Sequence, residues 1–157
     1  MKTRVYVETS IVSYLAARPS RDLIQAARQQ ITTEWWEYRR SEFDLFVSQY
    51  VLDEAGGGDA DAARRRLKLL DELPLLPTSQ EAIKLGEFLI AEGVVPQRAA
   101  TDALHIAVAT VHEMNVLLTW NCTHLANAEI LGPLSRAIRS RAYESPVICT
   151  PDELMGE

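Results

Sequence analysis

The chain has 157 residues and is 47% hydrophobic and 24% charged, a balance that suits one domain with a substantial core. Its 16 Lys and Arg against 22 Asp and Glu leave a net charge of −6, which argues against a general phosphate-backbone binder but not against an enzyme with a local acidic site. No apolar run reaches membrane-span length, Glu8 interrupts the N-terminal apolar run too early for a signal peptide, and the two cysteines, Cys122 and Cys149, form no C-x-x-C pair. A disulfide scaffold and a paired-cysteine zinc site are therefore excluded, and a reducing cytoplasm is expected.

Arg4 to Val7 is β-branched and aromatic and predicts a buried strand. Thr9 and Ser10 follow as helix caps, and a helix runs through Ile11, Tyr14 and Leu15 to the break at Pro19-Ser20. From Asp22 to about Arg40, the residues Leu23, Ala26, Ala27, Ile31 and Trp35 lie at helical spacing. Phe43 to Val47 predicts a second buried strand, and Ser48 opens a short helix that carries Glu54 and ends at Gly56-Gly57-Gly58. A helix from Asp59 to about Leu73, with Ala62, Leu67 and Leu70 facing inward, leads to a short third strand at Leu75-Leu76-Pro77. Ser79 caps a helix that ends at Gly93, and Ala99 to about Met114 is a helix of small residues. Val116 to Trp120 is a very apolar fourth strand, Pro133 starts a last helix, and Val147 to Cys149 is an edge strand. Strands that alternate with helices predict a parallel sheet covered on both faces, in one domain over residues 1–157.

In such sheets, ligands sit beyond the carboxyl ends of the strands. Glu8 directly follows the first strand, Glu54 lies on the helix after the second, and Asn121 directly follows the fourth. Asp102 opens the small-residue helix on the face it shares with Ile106 and Ala109, an unusual place for an acid without a partner. Convergence of these groups would crowd negative oxygens, and a divalent cation relieves that repulsion; hard oxygen ligands suit Mg²⁺ or Mn²⁺. Each acid also has an ordinary explanation: Glu8 and Asp102 as helix-terminal caps, Glu54 as a solvated helix acid.

Four pieces of the sequence resemble the PIN domain, the fold of the VapC-like toxin ribonucleases. They are Tyr6-Val7-Glu8-Thr9-Ser10-Ile11-Val12, Val47-Ser48-Gln49-Tyr50-Val51-Leu52-Asp53-Glu54, Thr101-Asp102-Ala103-Leu104-His105-Ile106-Ala107-Val108-Ala109 and Leu117-Leu118-Thr119-Trp120-Asn121. They occur in the family's order and span most of the chain. The resemblance implies a three-layer α/β/α fold with a short central parallel sheet. It implies metal-dependent cleavage of RNA, often as the toxin of a toxin–antitoxin pair, with an antitoxin protein as partner and a homodimer as the common assembly. Glu8, Glu54 and Asp102 match the family's acids, and Asn121 its fourth position; together they would hold Mg²⁺ or Mn²⁺, the metal supplying the activated water. Thr9, Ser10 and Thr119 match supporting positions. The chain departs from the family in two places: Glu8 replaces the usual Asp and is one methylene longer, and Asn121 replaces an Asp and removes a charge. These departures favour a tolerant ion such as Mn²⁺ over Mg²⁺, which demands near-ideal geometry. They also define the alternative, a catalytically inactive PIN-like module that binds RNA or a protein.

Arg18 and Arg21 flank the turn after the first helix and are the substrate-contact candidates. Arg64-Arg65-Arg66 with Lys68, and Arg136, Arg139 and Arg141, are expected to form solvated helix faces. Trp35 and Trp36 are expected to pack in the core or an interface, and His105 to be buried and hydrogen-bonded one turn beyond Asp102. A phosphorylatable receiver domain is disfavoured, because Glu8 has no acidic neighbour and Cys149-Thr150 follows the last strand where a receiver carries Lys.

Overall fold

The computed structural model describes residues 1–156. The described residues form a five-stranded parallel sheet in the order β3-β2-β1-β4-β5, with helices on both faces. The strands are β1 (Thr3–Val7), β2 (Phe43–Ser48), β3 (Leu75–Leu76), β4 (Val116–Leu118) and β5 (Val147–Cys149). β1 is central. Val5, Tyr6 and Val7 are fully buried, and Val5 pairs with Leu45 on one side and Val116 on the other. The part of the strand enclosed on both faces and both edges, Val5 to Val7, carries the large apolar side chains that such a position needs, while Thr3 and Arg4 at its start are not buried.

The helices are α1 (Thr9–Ala16), α2 (Leu23–Tyr38), α3 (Gln49–Ala55), α4 (Ala60–Leu70), α5 (Gln80–Ala91), α6 (Ala100–Val111) and α7 (Ala128–Ser140). Their starts follow ordinary capping chemistry. Asp22, Asp59 and Ser79 accept backbone N–H groups at the starts of α2, α4 and α5. α5 and α6 pack closely at Gly86, where an added Cβ would lie 3.1 Å from Leu104 Cδ2.

Four local expectations need correction. The cap of α1 is Glu8, whose side chain accepts the Ser10 N–H; Thr9 and Ser10 are already helical. The apolar residues that open α2 do not face the core: Leu23 is 87% exposed and Ile24 67% exposed. The sheet is met only by the later part of this helix, where Thr32, Trp35 and Trp36 are buried and Trp35 stacks on Phe43 at 5.6 Å. α7 starts after Asn127, so Pro133 lies in its second turn. The missing N–H of a proline costs a helix roughly 3 kcal/mol; burial of Leu134 and Ile138 just beyond it offsets that cost. β4 ends at Leu118, and the polar contacts of Thr119 and Trp120 take over from the ladder there.

Candidate active site

The chain order of the strands reverses between β1 and β4, and in such sheets the carboxyl ends of the strands at this switch point are where ligands bind. Glu8 leaves β1 there and is 5% exposed. Its Oε1 accepts from the Ser10 backbone N–H at 3.1 Å, the Ser10 hydroxyl at 2.5 Å and the Thr119 hydroxyl at 2.6 Å. The Ser10 hydroxyl in turn accepts the Trp120 N–H at 2.7 Å, and Thr119 Oγ1 accepts the Asn121 N–H at 2.9 Å. The ends of β1 and β4 are thus tied together through the Glu8 carboxylate.

Glu54 arrives from the last turn of α3. Its Oε1 accepts from the Thr9 hydroxyl at 2.7 Å and lies 2.5 Å from His105 Nε2 on α6. Burial pushes the Glu54 carboxyl up, but the hydrogen bond and electrostatic attraction of His105, with the Thr9 hydroxyl, outweigh it and leave the group below the ordinary carboxylate range. Potential ligand atoms of Glu8, Glu54 and His105 lie within 4.8 Å of one another. In both carboxylates the hydrogen bonds converge on Oε1, so among the described residues Oε2 of each has no protein donor. Two such hard oxygens on neighbouring elements fit a divalent cation of the Mg²⁺ or Mn²⁺ type.

The other expected residues are arranged differently. Asp102 stands one turn before His105 on α6, outside the compact group, and its Oδ2 is 3.2 Å from His124 Nδ1. Asn121 Oδ1 accepts the Thr123 and His124 N–H groups at 3.2 and 3.0 Å, so its oxygen caps a turn. Thr9 donates to Glu54 Oε1, and Ser10 and Thr119 donate to Glu8 Oε1. Arg18 and Arg21 are exposed in the turn between α1 and α2. In the Arg64 cluster, Arg65 Nε bonds the Ala16 carbonyl and Arg66 bonds those of Ala55 and Gly57, closing the ends of α1 and α3. Those two arginines are structural, whereas Arg64 sits on the surface beside Asp61 at 3.1 Å.

The sequence reading missed Tyr6 and the side-chain role of Ser48. Tyr6 Oη lies 2.6 Å from His105 Nδ1 and 2.7 Å from Ser48 Oγ, and burial pushes its phenol far above the ordinary range. A tyrosine inside an otherwise aliphatic buried strand was the available signal, because a buried phenol needs a partner.

The parallel sheet and its flanking helices define an α/β protein with paired carboxylates near the switch point. The PIN domain pattern matches residues 5–121, and the chain belongs to the PIN domain family. Its fold is similar to that of VapBC2 from Rickettsia felis bound to a promoter DNA fragment, with a TM-score of 0.58 and 14% identity over 94% of this chain and 98% of that one. VapBC-1 from nontypeable Haemophilus influenzae gives a TM-score of 0.58 and 14% identity over 96% and 99%. VapC20 from Mycobacterium tuberculosis, a sarcin-ricin loop cleaving toxin, gives 0.50 and 17% over 72% and 86%. Comparison with curated protein sequences gives no match. Among the described residues no helix is long and apolar enough to cross a membrane.

Proposed function

We propose that this chain is a single-domain, metal-dependent endoribonuclease of the PIN type, the cytoplasmic toxin of a toxin–antitoxin pair. The observation that carries the reading is the pair of oriented carboxylates, Glu8 and Glu54, at the switch point of a PIN domain. Glu8 and Glu54 hold Mg²⁺ or Mn²⁺, with Asp102 completing the site from α6 and Asn121 at its rim. The cation supplies Lewis acidity toward a phosphodiester and a water of lowered pKa. Thr119, Ser10 and Thr9 keep the two carboxylates in place, and Arg18 and Arg21 meet phosphates of the RNA. The antitoxin partner is supported by likeness to VapBC structures, and a homodimer is the expected assembly.

The test is incubation of the purified protein with RNA and Mn²⁺ or Mg²⁺. Cleavage is expected, and Glu54→Gln or Asp102→Asn should lower it by about 100-fold or more, the scale of losing a group that stabilises transition-state charge. Unchanged cleavage in both variants would refute the assignment. One observation favours a second reading, an inactive RNA- or protein-binding module: the Asn121 oxygen is engaged in a turn. RNA binding without cleavage under either metal would select that reading.

A further inference from the structure

We propose that Arg28, laid on the ring of Trp120, is a further phosphate-binding residue of the substrate path, between the turn that carries Arg18 and Arg21 and the ends of β1 and β4. The proposal rests on the reading above, in that RNA is the ligand at this end of the sheet.

Trp120 links Arg28 to the carboxylates. Its backbone N–H is held by the Ser10 hydroxyl, which itself donates to Glu8, and Thr119 just before it donates to the same carboxylate. The indole reaches α1 and α2. Its Nε1 donates to Thr32 Oγ1 at 2.7 Å, and the Tyr14 ring meets it edge-on with centroids 5.9 Å apart. Arg28 Cζ lies 5.0 Å from the centroid of the same indole ring. The stretch of α2 from Arg28 to Thr32 is thus fastened to the residue that follows Thr119. On the other side, the Gln29 side chain accepts the Ser20 N–H and donates to the Arg18 carbonyl, both at 2.9 Å. These bonds tie the turn that carries Arg18 and Arg21 to the residue next to Arg28.

The donors of Arg28 supply an independent observation. The residue is half-buried, yet among the described residues no carboxylate lies within ion-pair distance of it, and its one side-chain hydrogen bond is a long 3.5 Å contact to the Tyr14 hydroxyl. A guanidinium carries five donors in a planar fork that matches phosphate oxygens. Stacking on an indole fixes the plane of that fork and uses none of its donors. The half-buried Arg4, Arg39 and Arg66 spend theirs on backbone carbonyls or on Glu42. Arg40 is the other half-buried arginine without a polar partner, stacked on Trp36 at 4.6 Å, but it follows α2 at the opposite end of the sheet, where β2 begins. Of these two free forks, only that of Arg28 stands beside the carboxyl end of β4.

The test is the salt dependence of binding to a labelled single-stranded RNA, followed by fluorescence anisotropy with EDTA present. Arg28→Gln, and Arg28→Met, which keeps the packing over the indole, should each weaken binding about 10-fold, the scale of one hydrogen-bonded contact to a charged group. Each should also reduce the slope of log K against log salt by about 0.7, the increment for one phosphate on a single strand. Arg28→Lys keeps the charge and loses the fork, so it should bind more weakly than the unsubstituted protein with the slope unchanged. Arg40→Gln removes the same charge from the same kind of stack at the far end of the sheet and should alter neither quantity. An arginine that only covered Trp120 would lower the urea midpoint when replaced and leave the slope alone. An unchanged slope in folded Arg28→Gln or Arg28→Met, or an equal loss in Arg40→Gln, overturns this contact and leaves the RNA reading standing. Absence of RNA binding by the unsubstituted protein overturns the RNA reading and the contact with it.

Discussion

Oε1 of Glu8 accepts from three donors, two of them on Ser10 and one on Thr119, so this carboxylate is both a helix cap and a candidate ligand. The extra methylene relative to Asp lets it reach across to the end of β4 while still capping α1. Thr119→Val keeps the shape of the side chain and removes the β4 donor. It should lower Mn²⁺ affinity about 10–100-fold in calorimetry while circular dichroism stays unchanged. Glu8→Asp should shorten the reach, lose the Thr119 bond and weaken Mn²⁺ binding in the same assay. The two thiols are unequal as well. Cys122 is exposed, whereas burial first, and then the negative charges of Glu153 and Asp152, raise Cys149 from 9.0 to about 11. A thiol reagent near neutral pH should label Cys122 in the native protein and reach Cys149 only after unfolding.

Among the elements, α2 separates the pattern of a helix from its surroundings. The spacing of Leu23, Ala26 and Ile31 correctly predicts a helix but not that its first turns lie beyond the sheet; periodicity reports a face and says nothing about what covers it. Leu23→Ser and Ile24→Ser should each change stability by no more than about 0.5 kcal/mol in chemical denaturation, while Trp35→Ala should cost about 3–5 kcal/mol. The strands were legible because parallel strands are apolar throughout, and Val5, Val7 and Leu117 have no polar alternative. The approach of Glu8 and Glu54 to one another was legible because each follows a neighbouring parallel strand, one directly and one on the short helix after it. The Tyr6–His105–Ser48 contacts were hidden, since they join residues 42 and 99 positions apart and local pattern carries no record of that pairing. The misplaced start of α7 has a similar origin: Pro133 marks a favoured first-turn residue by local rules, and tertiary burial of Leu134 and Ile138 prevails over them.

For the whole molecule, the strand order brings side chains from β1, α3 and α6 to one end of the sheet, and pH acts on that arrangement from both directions. The folded Glu54 carboxyl lies below its ordinary range, so its contribution is present above the ordinary carboxylate value and is lost as pH falls through the folded one. The folded Cys149 thiol lies above its ordinary value, so its contribution is complete below 9.0 and is lost as pH rises toward about 11. Urea midpoints should therefore fall at both extremes, and Cys149→Ala should flatten the alkaline limb without moving the acid one.

A test of the proposed nuclease activity that traps the RNA uncut requires a choice of which acid to neutralise. Position 8 is a poor choice, because the carboxylate that would offer Oε2 to a cation also fastens the first helix to the fourth strand through Oε1. Asp102, whose ion-pair contact is with His124 alone among the described residues, offers a cleaner handle: its amide replacement should abolish the proposed cleavage and leave the fold, read by circular dichroism, undisturbed.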